Sequence, residues 1–351
     1  EISANDGEAV TNELIRGEIK GLKTDENSTG LGGAVIGLFK SDETEFTAEN
    51  ALATATSAED GSFSFAGVPY GNWVLKELES PEGFILSDEV IPVTVEEDGQ
   101  VVEISLANER VYGDLRLTKV DKDYPDNKLT GAEFEVYRDT NGNKELDEGD
   151  ELLGKLEETS TGIYEMSHIL YGGVFVKETK APEGFLLDEN AYYVEITENG
   201  KIYEVENEAG IGFTNMAQTG SLRIEKTSSD GNVEGFSFRV TGANGYDQTF
   251  KTDKNGEIFI EGLRVGDYTV SEVSDGASAN YVLPADKTVT IFADKTTVAE
   301  MHNELRDTPK TGDDSKPWLW AALMGVSAMG AAALGVAAYV GKRKKGKNTV
   351  K

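Results

Sequence analysis

Val176–Phe185, VKETKAPEGF, decides how this chain is read. The stretch recurs at Leu75–Phe84 as LKELESPEGF, with Lys, Glu, Pro, Glu, Gly and Phe unchanged. A degraded third copy survives as Val270-Ser271-Glu272. Such self-similarity divides the chain into units before any fold is assigned. Each unit carries a Glu (Glu77, Glu178, Glu272) at the end of an alternating run, and the role of that Glu is the functional question.

Working outward, each unit opens on an alternating strand: GEIKGLKTD from Gly17, GDLRLTKVD from Gly113 and GSLRIEKTS from Gly220. A second strand follows a turn, as GAVIGLF, GAEFEVY and GFSFRVT. Short alternating runs parted by Gly, Asn and Asp turns predict an all-β chain of tandem antiparallel sandwiches. The units span 17–112, 113–219 and 220–307, the size of single domains. An Asn stands five residues before each opening Gly: Asn12 before Gly17, Asn108 before Gly113, Asn215 before Gly220. Residues 1–16 are therefore expected to be the last strand of a truncated preceding unit, with Asn12 as its final core residue.

Strand parity gives the chemistry, because side chains at i, i+2 and i+4 share a face. On the first strands that face reads Ile19, Gly21, Lys23; Leu115, Leu117, Lys119; and Leu222, Ile224, Lys226. On the Glu strands it reads Trp73, Leu75, Glu77; Val174, Val176, Glu178; and Tyr268, Val270, Glu272. On the last strands it reads Ile104, Leu106, Asn108; Ile211, Phe213, Asn215; and Ala299, Met301, Asn303. A Lys, a Glu and an Asn are thus expected inside each core. The plain reading is a buried ion pair with an amide hydrogen bond. The sharper one follows from burial, which lowers a Lys pKa and raises a Glu pKa. A neutral amine beside a carboxamide is a nucleophile, and a protonated Glu can shuttle protons to departing ammonia. The product is a Lys–Asn isopeptide bond that each unit makes once, on itself.

At these residues the chain resembles the Cna-B (SpaA-type) domains of Gram-positive surface proteins and pilins, which implies a transthyretin-like, inverse-immunoglobulin sandwich. The family's first-strand K-x-D motif appears as Lys23-Thr24-Asp25 and Lys119-Val120-Asp121, while the third unit has Lys226-Thr227-Ser228. Its E-box is matched by VFVKETKAPEGF and, with Ser80 for Ala, by WVLKELESPEGF; the third unit keeps Glu272 without the Pro-Gly turn. The resemblance implies that Glu77, Glu178 and Glu272 catalyse the bonds Lys23–Asn108, Lys119–Asn215 and Lys226–Asn303, and that Asn12 is the acceptor of the truncated unit. The Pro-Glu-Gly turn reads as the exit of the strand and not as a site.

The C-terminal segment resembles a sortase sorting signal. Thr308-Pro309-Lys310-Thr311-Gly312 precedes an uncharged apolar run, 318–340, long enough to cross a bilayer as a helix. Trp318, Trp320 and Tyr339 mark the ends of the run, and the basic tail 341–351 is expected in the cytoplasm by the positive-inside rule. The resemblance implies cleavage after Thr311 and attachment to peptidoglycan or a pilin backbone, with membrane insertion only before sorting. No V-Y-P-K polymerisation motif occurs; Tyr124-Pro125-Asp126 lacks the Lys.

Composition bounds the alternatives. The net charge is −31, and seven of the Lys and Arg lie beyond Gly312 against two acids, so residues 1–312 hold 26 basic against 62 acidic side chains. An acidic body of this size excludes nucleic acid as partner. The absence of cysteine excludes disulfides and thiolate chemistry. The loop Asp139–Asp150 offers calcium-type oxygens at Asp139, Asn141, Asn143, Asp147 and Asp150, but holds Lys144 at the turn-glycine position. An acidic hairpin is the alternative there, and no cofactor is otherwise implied. His168 aligns with Gly67 and Gly262, His302 has the wrong parity to join Asn303, and neither has a triad partner. No catalysis on an external substrate is expected. The reading is an extracellular, cell-wall-anchored stalk of an adhesin or minor pilin, a substrate of sortase. The alternatives are a sandwich that itself docks a host extracellular-matrix protein, and an unsorted bitopic membrane protein.

Overall fold

A computed structural model describes residues 13–306. All three units are β-sandwiches, and each closes its own hydrophobic core. The alternation of the opening strands makes this possible, since one face of a pleated strand can be wholly apolar while the other meets water.

In the first unit, strand Arg16–Asp25 lies between Ser62–Pro69 and Val101–Asn108. The facing sheet runs Ala53–Thr56, Val35–Lys40, Gly71–Glu79, Val90–Val95. The second and third units repeat the plan. Their central strands are Tyr112–Asp121 and Thr219–Ser228, and their Glu strands are Gly172–Lys180 and Gly266–Val273.

One pairing departs from the expected antiparallel order. First and last strands run parallel, with Asp25 opposite Asn108, Asp121 opposite Asn215 and Ser228 opposite Asn303. The chain leaves the first strand, builds the second sheet and returns to the same edge in the same direction, the long crossover that a parallel pair requires. In the second unit the returning strand is split into Ile202–Glu204 and Phe213–Asn215 by a tight excursion. Ile211 sits in that excursion and is exposed, so its expected core position is corrected; Val205 is buried in the same unit's core.

Among the described residues no helix is long and apolar enough to cross a membrane. Asn12, the Thr308–Gly312 motif, the apolar run 318–340 and the basic tail lie outside the described residues.

Candidate functional site

Parity places all nine trio residues inside. Lys23, Lys119 and Lys226, Glu77, Glu178 and Glu272, and Asn108, Asn215 and Asn303 are buried. Long charged side chains are almost never buried unless paired, so the contacts they make are informative. Parallel pairing of first and last strands sets each Lys and its Asn one diagonal apart on one face, and the Glu strand of the opposite sheet closes the triangle.

In the first unit the Lys23 amine donates to Asn108 Oδ1 and stands 3.1 Å from Glu77 Oε1. Asn108 Nδ2 donates to the same Glu77 oxygen at 2.8 Å. In the second unit Lys119 donates to Asn215 Oδ1 and to the Phe213 carbonyl, and lies 3.5 Å from Glu178 Oε1. Asn215 Nδ2 donates to both Glu178 oxygens, at 3.0 and 2.8 Å. A backbone amide ten residues downstream steadies each Glu: Ser87 N–H and Asp188 N–H donate to Glu77 Oε2 and Glu178 Oε2, each at 2.8 Å.

The third unit is assembled differently. Asn303 Nδ2 donates to Glu272 Oε1 at 2.6 Å, but the Lys226 amine donates to the Thr227 carbonyl at 2.5 Å and lies over the Phe236 ring. Glu272 Oε2 and Asn303 Oδ1 are buried without a hydrogen-bond partner. The missing Pro-Gly turn explains the first orphan, because no loop folds back to bring an N–H onto Glu272.

Burial governs the electrostatics. It lowers the pKa of Lys23 and Lys226 and brings Lys119 down to about 8, against the opposing pull of Glu77, Glu272 and Glu178. Burial also raises Glu272 above the usual carboxylate range. A lysine poised near neutrality against a carboxamide, with a carboxyl group on the leaving nitrogen, can carry out acyl transfer from amide to amine.

The Asp of the K-x-D motif faces away from this chemistry. Asp25 accepts from Arg110 at 2.7 Å, and Asp121 accepts from both terminal nitrogens of Arg264 in the following unit. The sequence reading missed both arginines. Arg264 lies 143 residues from its partner, so no local pattern signals it.

The remaining candidates do not form sites. In the loop 139–150, Asp139 and Asp150 accept backbone N–H groups of their own hairpin, and the Asn141 and Asn143 amides both donate to Asp147 Oδ2. Its carboxylates do not converge, and among the described residues no group of three or more His, Asp or Glu is placed to hold a metal ion. The loop does not fit the calcium considered for it. His168 takes a positive φ of 63° where Gly67 takes 64° and Gly262 69°, and stacks on Tyr112. His302 is exposed and bonds Thr227 Oγ1.

The comparisons bear on the fold of the three units. A family described as "SpaA: Prealbumin-like fold domain" matches residues 17–110, 113–209 and 220–305. Among solved structures, the Bacillus anthracis TIE protein is 26% identical with a TM-score of 0.64, over 83% of this chain and 51% of that one. The chain thus spans about half the length of that protein. BcpA, the major pilin subunit of Bacillus cereus, is 15% identical over 83% of this chain and 100% of its own, with a TM-score of 0.39. The minor pilin of Streptococcus agalactiae is 18% identical over 57% of this chain and 99% of its own, with a TM-score of 0.27. No curated protein sequence matches. With the family model covering most of the chain in three consecutive repeats, the chain belongs to the SpaA prealbumin-like fold domain family.

Proposed function

We propose that the chain is the stalk of a surface-anchored adhesin or minor pilin, stiffened by an isopeptide bond inside each unit. The supporting observation is the buried contact of Lys119 with the Asn215 carboxamide, repeated at Lys23 and Asn108. In the reaction the neutral Lys119 amine attacks Asn215 Cγ. Glu178, already bonded to Nδ2, takes a proton from the attacking amine and passes it to that nitrogen. The Cγ–Nδ2 bond breaks, ammonia leaves, and a secondary amide joins the two strands. Neither an external substrate nor a cofactor enters the balance.

The benefit is mechanical. Tension enters a unit at the start of its first strand and leaves just after its Asn. With Lys and Asn joined, force passes along the first strand and through one covalent bridge, leaving the hydrogen-bonded sheets unloaded. Closing a loop of 85 or 96 residues also stabilises the unit by about 4–5 kcal/mol on the chain-entropy model. Fragmentation of a tryptic digest tests the reading: it should yield the Lys119 and Asn215 peptides joined, and their recovery only as separate, unmodified peptides refutes it.

Sortase attachment through Thr308–Gly312 belongs to the same proposal, supported by the motif, apolar run and basic tail in that order. Release from the wall by a muralytic enzyme should depend on Thr311 and Gly312. Detergent extraction of uncleaved protein would reject it.

A further inference from the structure

The Pro-Glu-Gly turn does more than end a strand. Gly83 and Gly184 take φ of 81° and 82°, and each turn lies against the next unit: a Cβ would stand 3.2 Å from the Tyr171 ring at the first and 3.1 Å from Val265 Cγ2 at the second. Backbone bonds hold both joints in one register. Val111 N–H donates to Gly83 O at 2.8 Å and Tyr171 N–H to Val111 O at 2.9 Å. Gln218 N–H donates to Gly184 O at 2.8 Å and Val265 N–H to Gln218 O at 3.0 Å. Exit turn, linker and the hairpin of the next unit thus lie side by side, and Tyr171 adds a hydroxyl bond to Glu82 at 2.7 Å.

The first unit carries the receiving half of the same joint. Tyr70 N–H donates to Ile15 O at 3.1 Å, and Ile15 follows Asn12 by the offset that separates Val111 from Asn108 and Gln218 from Asn215. Gly71, with φ 138°, follows Tyr70 as Gly172 and Gly266, at 112° and 133°, follow Tyr171 and Val265. Here, however, the apolar surface is uncovered among the described residues: Leu14 is 73%, Tyr70 62% and Ile15 39% exposed, whereas Val111 in the filled joint is 7% exposed.

We infer that Tyr70, Leu14 and Ile15 form the seat for a Pro-x-Gly-aromatic exit turn of a further prealbumin-like unit joined ahead of Glu13. A second copy of the chain cannot supply the turn. Both turns of this kind are seated on their own following units, and the third unit has Ser274-Asp275-Gly276 in that place. The occupant's end is also uncharged at the joint. Where Arg110 and Arg264 cap Asp25 and Asp121, the corresponding residues of this seat are Leu14 and Pro69. The inference goes beyond the stalk reading and holds whether or not the isopeptide bonds form.

In the test, residues 1–12 of the full chain are exchanged for a copy of residues 113–215 carrying Asp121→Ala, so that a known exit turn with an uncharged end precedes Glu13. Nitration by tetranitromethane is then followed at each tyrosine by peptide mass spectrometry. Tyr70 should react about tenfold more slowly than in the unextended chain, the protection that about 1.4 kcal/mol of docking confers. Gly184→Val in the added copy alone should restore its reactivity. An unchanged Tyr70 rate, with buried Tyr164 unmodified in both copies, overturns the inference. Gly83→Val in the unextended chain is the second reading, independent of how the added copy folds. Tyr171 must then become as reactive as Tyr70; if it stays protected, the turn is not what covers the seat and the inference fails.

Discussion

Lys119 and Asn215 touch across two parallel strands that are 96 residues apart in the chain, with Glu178 on the amide nitrogen that a bond between them would release. Burial brings the lysine down to about 8, so below that pH the neutral amine is the scarce reactant. On refolding, bond formation in the second unit should accelerate about tenfold per pH unit and level off near pH 8. Time-resolved intact mass after dilution from denaturant at several pH values measures it. A rate independent of pH over this range would show that amine deprotonation does not limit the step.

The same shift has a stability consequence when the bond cannot form. In Asn215→Ala the folded state holds the Lys119 proton less tightly than the unfolded chain, whose value is near 10.5. Between about 8 and 10.5 the unfolded state therefore binds more protons, and the stability of the second unit should rise with pH across that window. Denaturant midpoints against pH check the sign; a fall across the window would contradict it.

The third unit should lag behind the others. Its Lys226 is bonded to the Thr227 carbonyl and must swing to Asn303, and Glu272 lacks the N–H that steadies Glu77 and Glu178. Freshly folded protein should accordingly lose two ammonia molecules, with the third loss appearing only on incubation. Peptide mapping of Lys226 over time follows it, and simultaneous closure of all three units would refute the argument.

Arg264 and Asp121 tie the third unit to the second. Burial alone would raise the Asp121 pKa, but the Arg264 guanidinium and the Asp123 and Tyr124 N–H groups together outweigh it and hold the carboxyl below its usual range. Arg264→Ala leaves that buried carboxylate without its cation, held only by backbone N–H groups, and should destabilise the second unit by about 1–3 kcal/mol. Arg239→Ala, which removes an exposed pair with Asp247, should leave unfolding unchanged. The stabilisation from Asp121 is present above its unfolded value of 3.8 and is lost as pH falls through the lower folded value. Thermal unfolding of the variants at pH 7 and in acid provides the comparison.

Much of the site was legible because a two-residue period is unforgiving: a one-residue slip would have turned Lys119, Glu178 and Asn215 out to solvent. Repetition of the trio on the same face in three units made the inward reading firm. What parity could not show was direction or distance along a strand. The parallel pairing of first and last strands, the excursion that exposes Ile211 and the turned Lys226 depend on tertiary closure. The joints were hidden for another reason. Tyr171, Val265 and Arg264 meet the previous unit across long sequence separations, so Pro182-Glu183-Gly184 read as a strand ending and Asp121 as part of a cross-linking motif.

The central claim rests on ammonia leaving the folded chain, and intact mass of the ectodomain measures that loss directly. Fresh protein should weigh less than its sequence by two ammonia molecules, and Glu178→Ala, or the better-packed Glu178→Gln, should restore one. A mass equal to the full sequence, in protein that is folded and unchanged by either substitution, would contradict the account.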